Sequence, residues 1–147
     1  MKSGGVTEMT NGQYFTKKIN TSVKRNKSTP GYQCVDLAKD YLICVKDIYK
    51  KLPGLSNWWA WGNAITWATP NNESKKVFDF LPPDTALKTG DLIVMKSTDP
   101  NGHICIYAGF SDDKSFISLD QNMGGIQKCL FYKHPRASIV KILRWKV

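Results

Sequence analysis

The chain has 147 residues, enough for one domain with a hydrophobic core, and no proline- or serine-rich linker or internal repeat divides it. No apolar run reaches the length of a signal peptide or the roughly 18 residues of a membrane span, so we expect synthesis in the cytoplasm. The formal charge of +9 favours polyanionic partners, but scattered lysines without a groove-reading helix or zinc-finger spacing argue against nucleic-acid binding.

The first helical pattern of the chain begins at a cysteine. Residues 1–30 are rich in Gly, Thr, Asn, Ser and Lys, which predicts an irregular arm before a functional domain at 31–147. After Pro30-Gly31, apolar residues recur from Cys34 at 37/38, 41/42, 45 and 48/49, the spacing of one buried helical face. The sulfur then lies at the positive end of a helix dipole, which favours the thiolate. Cys34 is either a nucleophile or a small apolar residue that opens the helix.

The second half of the chain is predicted to be rich in strands. Short strand-like runs separated by turns predict an α+β fold, with N-terminal helices on an antiparallel sheet; they are 91–96, 103–110, 115–122, 126–133 and 138–146. His103 begins the second of these strands. Asp120 and Asn122 are two residues apart and would share one strand face, where either could hold an imidazole. The order Cys, His, Asp/Asn is the one that a thiol protease or amidase requires.

Four ordered blocks resemble the CHAP family, the cysteine- and histidine-dependent amidohydrolases and peptidases, and in particular the CHAP domains of staphylococcal-phage-type endolysins. These blocks are Gln33-Cys34-Val35-Asp36-Leu37, Trp61-Gly62-Asn63-Ala64, Thr89–Val94 with Gly102-His103, and Leu119-Asp120-Gln121-Asn122. The resemblance covers most of the chain. It implies a papain-like fold with about five to six strands, a second helix at the Trp61 block, and cleavage of amide bonds in peptidoglycan.

The resemblance also implies roles for individual residues. Cys34 would attack the amide carbonyl and His103 would protonate the departing amine, while Asp120 orients His103 and Asn122 is the alternative orienter. The backbone N–H of Cys34 and the side-chain amide of Gln33 would stabilise the oxyanion. Capping of the helix is the other interpretation of Gln33.

Asn63 and Trp61 are candidates for substrate binding. For each tryptophan of the cluster, core packing is the alternative; the cluster is Trp58, Trp59, Trp61 and Trp67. Several family members bind calcium through an acidic loop before the nucleophile and an Asp two residues after it. Asp36 matches that Asp, but residues 24–29 are basic where carboxylates would be needed, so we expect no metal cofactor.

No catalytic role is predicted for the remaining cysteines and histidine, although Cys105 shares the strand face of His103 and either lines the site or packs beneath it. Four cysteines, at positions 34, 44, 105 and 129, fit neither a zinc site nor a disulfide framework, so free thiols are expected. Cys44 would lie on the order of 15 Å along the helix from Cys34, in the core. His134, followed by a proline, is predicted to be an exposed loop histidine without a nearby acid.

The resemblance therefore implies a peptidoglycan hydrolase, either an endopeptidase or an N-acetylmuramoyl-L-alanine amidase. We expect a monomer that reaches the wall after release from the host cytoplasm, or as a virion-borne or secreted part of a longer protein, with teichoic acids attracting its positive charge. Two alternatives are a papain-like hydrolase or transferase acting on another amide, and a non-catalytic wall-binding module. The combination of Cys34, His103 and Asp120 argues against the second alternative.

Overall fold

The protein is described here by a computed structural model of residues 9–25, 30–55 and 61–147. Its helices are α1 (Asn11–Lys18), α2 (Cys34–Cys44), α3 (Ile48–Lys51) and α4 (Ser74–Val77), with short 3₁₀ helices at Ala64–Ala68 and Arg136–Ser138. Its strands are β1 (Phe78–Leu81), β2 (Leu92–Met95), β3 (His103–Ser111), β4 (Ser115–Asp120), β5 (Leu130–Pro135) and β6 (Ile139–Trp145). Among the described residues, no helix has both the length and the apolar character required to cross a membrane.

The six strands form one antiparallel sheet in the order β1-β6-β2-β3-β4-β5, which confirms the predicted α+β class. Alternate residues of the strands belong to different apolar clusters. Val94 and Ile104 join the large core with the helices, whereas Met95 and Cys105 join a smaller cluster within β2, β3, β4 and β6. This alternation is expected of strands that bury both faces of a sheet.

The N-terminal arm was predicted to be irregular, but residues 11–18 of this arm form the helix α1. Thr10 and Gln13 cap this helix reciprocally: the Thr10 hydroxyl accepts from the Gln13 N–H at 3.1 Å, and Gln13 Oε1 accepts from the Thr10 N–H at 2.9 Å. Tyr14 is fully buried, and Phe15 is buried beside it. The helix therefore contributes aromatic side chains to the large core.

The helix that begins at Cys34 is shorter than the apolar pattern predicted. α2 ends at Cys44, and Asp47 adopts a left-handed backbone conformation with φ of 53°, so Ile48 belongs to the separate helix α3. The second predicted helix is also smaller than expected. Trp61 precedes a 3₁₀ helix that begins only at Ala64.

The strand predictions differ from the structure mainly at their ends. β1 was missed, since the first half of the chain was interpreted as helical. β4 ends at Asp120, two residues earlier than predicted, and Asn122 has a left-handed conformation with φ of 60°. β5 is shifted towards the C-terminus and includes His134.

Gly102 sets the start of β3. Its φ is +73°, and a Cβ at this position would lie 3.1 Å from the Met95 carbonyl oxygen and 3.0 Å from Ile65 Cβ. Because glycine has no Cβ, it adopts this positive φ and fits beside Met95 and Ile65 without strain. The turn can therefore deliver His103 directly beside β2, where His103 is opposite Met95 in the register.

Candidate active site

Cys34 is the first residue of α2, as predicted, and its sulfur is half-buried at the N-terminus of the helix. The Gln33 N–H, which precedes the helix, donates to Asp36 Oδ2 at 2.9 Å, and the Arg25 N–H donates to Asp36 Oδ1 at 2.8 Å. Asp36 thus caps the first turn and ties it to the preceding segment. These two hydrogen bonds to backbone N–H groups fix the position of Cys34 at the start of α2.

Gln121 fastens this helix start to the end of β4. Its fully buried amide nitrogen donates to the carbonyl oxygens of Gln33 and Val23, both at 2.8 Å, and its Oε1 accepts from the Val23 N–H at 2.7 Å. Buried amides satisfied in this way position backbone segments firmly. Gln121 lies next to Asp120, so one segment carries the acid and also holds the helix of the cysteine.

His103 and Asp120 are in direct contact. His103 Nε2 lies 2.6 Å from Asp120 Oδ2, and both side chains are buried. The other carboxylate oxygen, Oδ1, accepts a short hydrogen bond from the Ser118 hydroxyl. The predicted meeting of the β3 histidine and the β4 acid is therefore present in the structure.

The contacts of His103 make it a strong base. Burial alone lowers the pKa of the imidazole, but hydrogen bonds and charge interactions with Asp120 and Cys34 outweigh burial and raise it to about 9. Since Nε2 faces Asp120, Nδ1 is the ring nitrogen left for Cys34. Asp120 and Cys34 thus act on the same ring, and together they favour an imidazolium beside the sulfur at neutral pH.

The other three cysteines lie away from the start of α2, and burial makes each of their thiols harder to ionise. Burial raises the pKa of Cys44, raises that of Cys105 well above the ordinary thiol value, and raises that of Cys129 to about 11. All four thiols are free, as predicted. Because the thiolate is the nucleophile, these three thiols are poor candidates for attack on a substrate.

The prediction that His134 is an exposed loop residue is wrong. His134 lies in β5 with 4% of its surface exposed, and its Nε2 is 2.8 Å from Asp120 Oδ2. Pro135 follows it within the strand, which is tolerated because β5 is an edge strand of the sheet. Asp120 therefore binds two imidazoles through one oxygen.

Asn122 is not placed to orient His103. The strand ends before it, and the Asn122 Nδ2 donates instead to Gln33 Oε1 at 2.9 Å. The Gln33 Nε2 in turn donates to the Pro30 carbonyl oxygen at 2.9 Å. Asn122 thus orients the Gln33 amide beside Cys34, while Asp120 contacts the histidine.

A cleft of about 1260 Å³ opens over these groups, and Cys34 and His103 line it. Asn63 is an exposed residue of the cleft wall, where its Nδ2 donates to Asn101 Oδ1 at 2.9 Å. Trp61 was a candidate for substrate contact, but it is only 1% exposed and packs edge-on against Trp67 in the core. Of the other tryptophans of that cluster, Trp58 and Trp59 lie outside the described residues.

Within the described ranges, one group of side chains has the composition of a metal-ligand set. The ligand atoms of His103, Asp120 and His134 all lie within 4.8 Å of one another. The Nε2 atoms of both histidines already lie at hydrogen-bond distance from the Asp120 carboxylate, so hydrogen bonds account for the arrangement of the three side chains.

The sequence matches the family model of the CHAP domain over residues 23–122. This range is more than half of the chain and contains Cys34, His103 and Asp120. The chain belongs to the CHAP family. CHAP domains are cysteine amidases and peptidases, which agrees with the sulfur, imidazole and carboxylate in this site.

Solved structures, one of them of an endolysin, share the fold of this chain. The wild-type endolysin LysIME-EF1 is 21% identical, with a TM-score of 0.67 over 89% of this chain and 60% of that one. Ly7917 is 15% identical, with a TM-score of 0.62 over 93% of this chain and 63% of that one, and a third structure is Ly7917 with "the hydrolyzing product of MDP". The chain thus spans about 60% of the length of these proteins. The comparison with curated proteins found no match.

Three residues of this CHAP site were not predicted from the sequence: Ser118, Gln121 and His134. Ser118 had a visible signal, because it lies two residues before Asp120 and so shares its strand face. His134 would have been placed on a strand face had the fifth strand been extended through Pro135. For Gln121, whose burial follows from the end of β4, the sequence holds no comparable local signal.

Proposed function

We propose that this CHAP domain is a peptidoglycan hydrolase of the phage-lysin type, which cuts an amide bond of the stem peptide, the cross-bridge or the link to muramic acid. The succession of Cys34, His103 and Asp120 at one cleft carries this proposal. Its membership of the CHAP family and its fold likeness to endolysins support peptidoglycan as the substrate. The charge of +9 would attract the domain to teichoic acids of the wall.

The mechanism follows from the positions of the three groups. The Cys34 sulfur attacks the amide carbonyl carbon and forms a tetrahedral intermediate, and the His103 imidazolium then gives its proton to the departing amine. Water, deprotonated by the neutral His103, attacks the resulting thioester and releases Cys34. Asp120 holds the ring and stabilises its positive charge during both steps.

The oxyanion would be bound at the start of α2. Cys34 is the first residue of the helix, so its N–H precedes the intrahelical hydrogen bonds. The Gln33 amide is fixed beside it by Asn122 and Pro30, and the Pro30 carbonyl takes only one of the two N–H groups. In this proposal Asn122 acts on Gln33, and Asn63 contacts the substrate from the cleft wall.

Digestion of purified cell walls and of defined muropeptides tests the function. An endopeptidase exposes a new amino terminus within the stem or bridge, whereas an amidase frees the L-alanine amino group from muramic acid, and mass spectrometry distinguishes the two. Soluble peptides without muramic acid or wall cross-links serve as the comparison substrate. Hydrolysis of these peptides at the same rate as wall fragments, or no release of amines from walls, would refute the proposal.

The pH dependence of the reaction should report the state of His103. Its pKa of about 9 means that the imidazolium is present below that pH and is lost above it. We therefore expect kcat/KM for a soluble muropeptide to fall about tenfold per pH unit above about pH 9, because the leaving amine lacks its proton donor. A rate that stays level up to pH 10.5 in protein that remains folded would be inconsistent with this role.

We also propose that the domain works without calcium. Both oxygens of Asp36 accept backbone N–H groups, and Lys24 Nζ lies 3.9 Å from Oδ2. Asp40, one turn later, pairs with Arg25 at 2.8 Å and with Lys18 at 3.2 Å. These carboxylates are compensated by cations of the chain itself, so they do not fit the oxygen-rich coordination that calcium requires.

Removal of divalent cations should consequently leave the activity unchanged. We expect EGTA or EDTA to alter the rate of wall lysis by less than about twofold, as Asp36 and Asp40 are already compensated by cations of the chain. The turbidity of a wall suspension measures the rate of lysis. The walls are washed beforehand to remove contaminants whose activity depends on divalent cations. A large loss that added calcium restores would contradict the proposal.

A further inference from the structure

His134 is a titratable group in contact with Asp120 to which the mechanism assigns no step. Its Nε2 lies 2.8 Å from Asp120 Oδ2, and His103 Nε2 lies 2.6 Å from the same oxygen. All three side chains are buried, and Asp120 has no exposed surface. Because His103 and His134 share one buried carboxylate oxygen, the contact of His134 with that oxygen affects His103, the imidazole that faces Cys34.

We propose that His134 is a positioning residue that acts through Asp120: it donates its Nε2 proton to Oδ2 and so holds the carboxylate at His103 and limits how strongly that carboxylate binds the His103 imidazolium. This inference rests on the proposed function, since it assigns His103 to the reaction. It concerns a residue that contacts the acid from the edge strand β5 and, like Cys34 and His103, lines the cleft.

The surroundings of His134 fix its ring for this task. The Phe116 ring centroid lies 5.4 Å from that of His134, and the Tyr132 centroid lies 6.3 Å away, so the imidazole is held between aromatic side chains of β4 and β5. Ser118 occupies the other carboxylate oxygen. Asp120 is therefore held by donors on both of its oxygens, and rotation of the carboxylate would break these bonds.

The charge balance points in the same direction. Burial raises the pKa of Asp120, but the hydrogen bonds from His103 and His134 outweigh burial and lower it. A donor on Oδ2 stabilises the carboxylate even when His103 is neutral, and it therefore reduces the gain from protonating His103. Other titratable side chains near this cluster are Cys34 of α2, Cys105 of β3, Cys129 directly before β5 and Tyr132 of β5. Lys96, after β2, lines the same cleft.

The test uses the fact that the chain has only two histidines. In His134→Phe the single remaining imidazole signal is that of His103, so an NMR titration reads its pKa without assignment. We expect this pKa to rise above the wild-type value, because Asp120 loses a competing donor. The alkaline limit of kcat should move upward with it, while kcat itself falls about tenfold at unchanged KM since the carboxylate is less well held.

Two further variants separate positioning from packing. His134→Gln keeps an N–H donor near the position of Nε2 and should restore the wild-type pKa of His103 and most of kcat. Tyr132→Phe is the matched control on the same strand: it removes a buried hydroxyl that has no hydrogen-bond partner among the described residues, and it should leave both quantities unchanged. If His134 acted only through packing, His134→Gln should lower kcat as much as His134→Phe does.

A measurement on the wild-type protein tests the proposal even if His134→Phe does not fold. ¹⁵N spectra of the wild-type protein at neutral pH should show both rings protonated at Nε2, and a His134 ring with its only proton on Nδ1 would overturn the proposal. An unchanged His103 pKa in folded His134→Phe would overturn it as well. Because these titrations need no substrate, a shifted pKa in a protein that hydrolyses no wall would refute the proposed function and leave the contact established.

Discussion

Replacement of Cys34 by alanine should abolish hydrolysis while leaving the fold intact. Loss of the nucleophile of a triad lowers kcat by on the order of 10⁶-fold, because the general base and oxyanion donors then have no attacking group to serve. Alanine suits the first turn of α2, and the sulfur is only half-buried, so little stability is lost. Release of amines from purified walls and the far-ultraviolet circular dichroism spectrum measure the two effects.

The same variant should change His103 in a defined direction. Cys34 is one of the two partners that raise the His103 pKa to about 9, so its removal should lower that pKa, as NMR titration would show. Cys44→Ala is the matched control, since it removes a second half-buried thiol at the far end of the same helix. Activity of Cys34→Ala comparable to that of Cys44→Ala would exclude the thiol mechanism.

The central groups of the site were predictable because each is marked by local chemistry. Cys34 follows a Pro-Gly break and leads an apolar helical face, and His103 follows a Gly-containing turn at the start of a strand. Asp120 lies on the strand that follows and pairs with that of His103, but the helix of Cys34 is distant from both in the sequence. The docking of that helix against the two strands came from the family resemblance, since periodicity places a residue on a face but does not say which elements are neighbours.

The failures arose where tertiary structure overrode a local signal. Pro135 suggested a turn, yet an edge strand has no need of the missing N–H group on its outer side, so β5 continues through His134. Asn122 was placed by strict alternation, but β4 ends first and the backbone turns left-handed. In both cases the strand's end, which is set by its neighbours in the sheet, decided where a functional side chain points.

The N-terminal segment shows the opposite error, in which a local signal was overlooked. Thr10 and Gln13 have the spacing of a capping box, and Tyr14-Phe15 supply an apolar pair, but the surrounding polar residues suggested an irregular arm. Tyr14 also reaches into the site's support, because its hydroxyl donates to Asp40 Oδ2 at 2.7 Å on α2. The helix that begins at Cys34 is thus braced by a segment that lies outside the region matched to the family.

Replacement of Asp120 by asparagine should lower kcat by about 10⁴-fold, with a smaller effect on KM. Asp120 accepts hydrogen bonds from His103, His134 and Ser118, whereas an asparagine offers one acceptor oxygen and an NH₂ group. At least one imidazole would then face a donor and change its tautomer, which for a triad histidine costs about this factor. The loss of the negative charge should also lower the pKa of His103, one of whose two raising partners is Asp120.

The combination of rate and pKa distinguishes this mechanism from unfolding. Exchange of the buried carboxylate for an amide should lower the free energy of unfolding by about 1–3 kcal/mol, since donors are left unsatisfied, and this is measured by urea denaturation. Asp113→Asn, at an exposed position in the β3–β4 turn, makes the same chemical change without these partners and should match the wild type. An Asp120→Asn protein within tenfold of wild-type kcat would mean that the His103 ring is oriented by something other than this carboxylate.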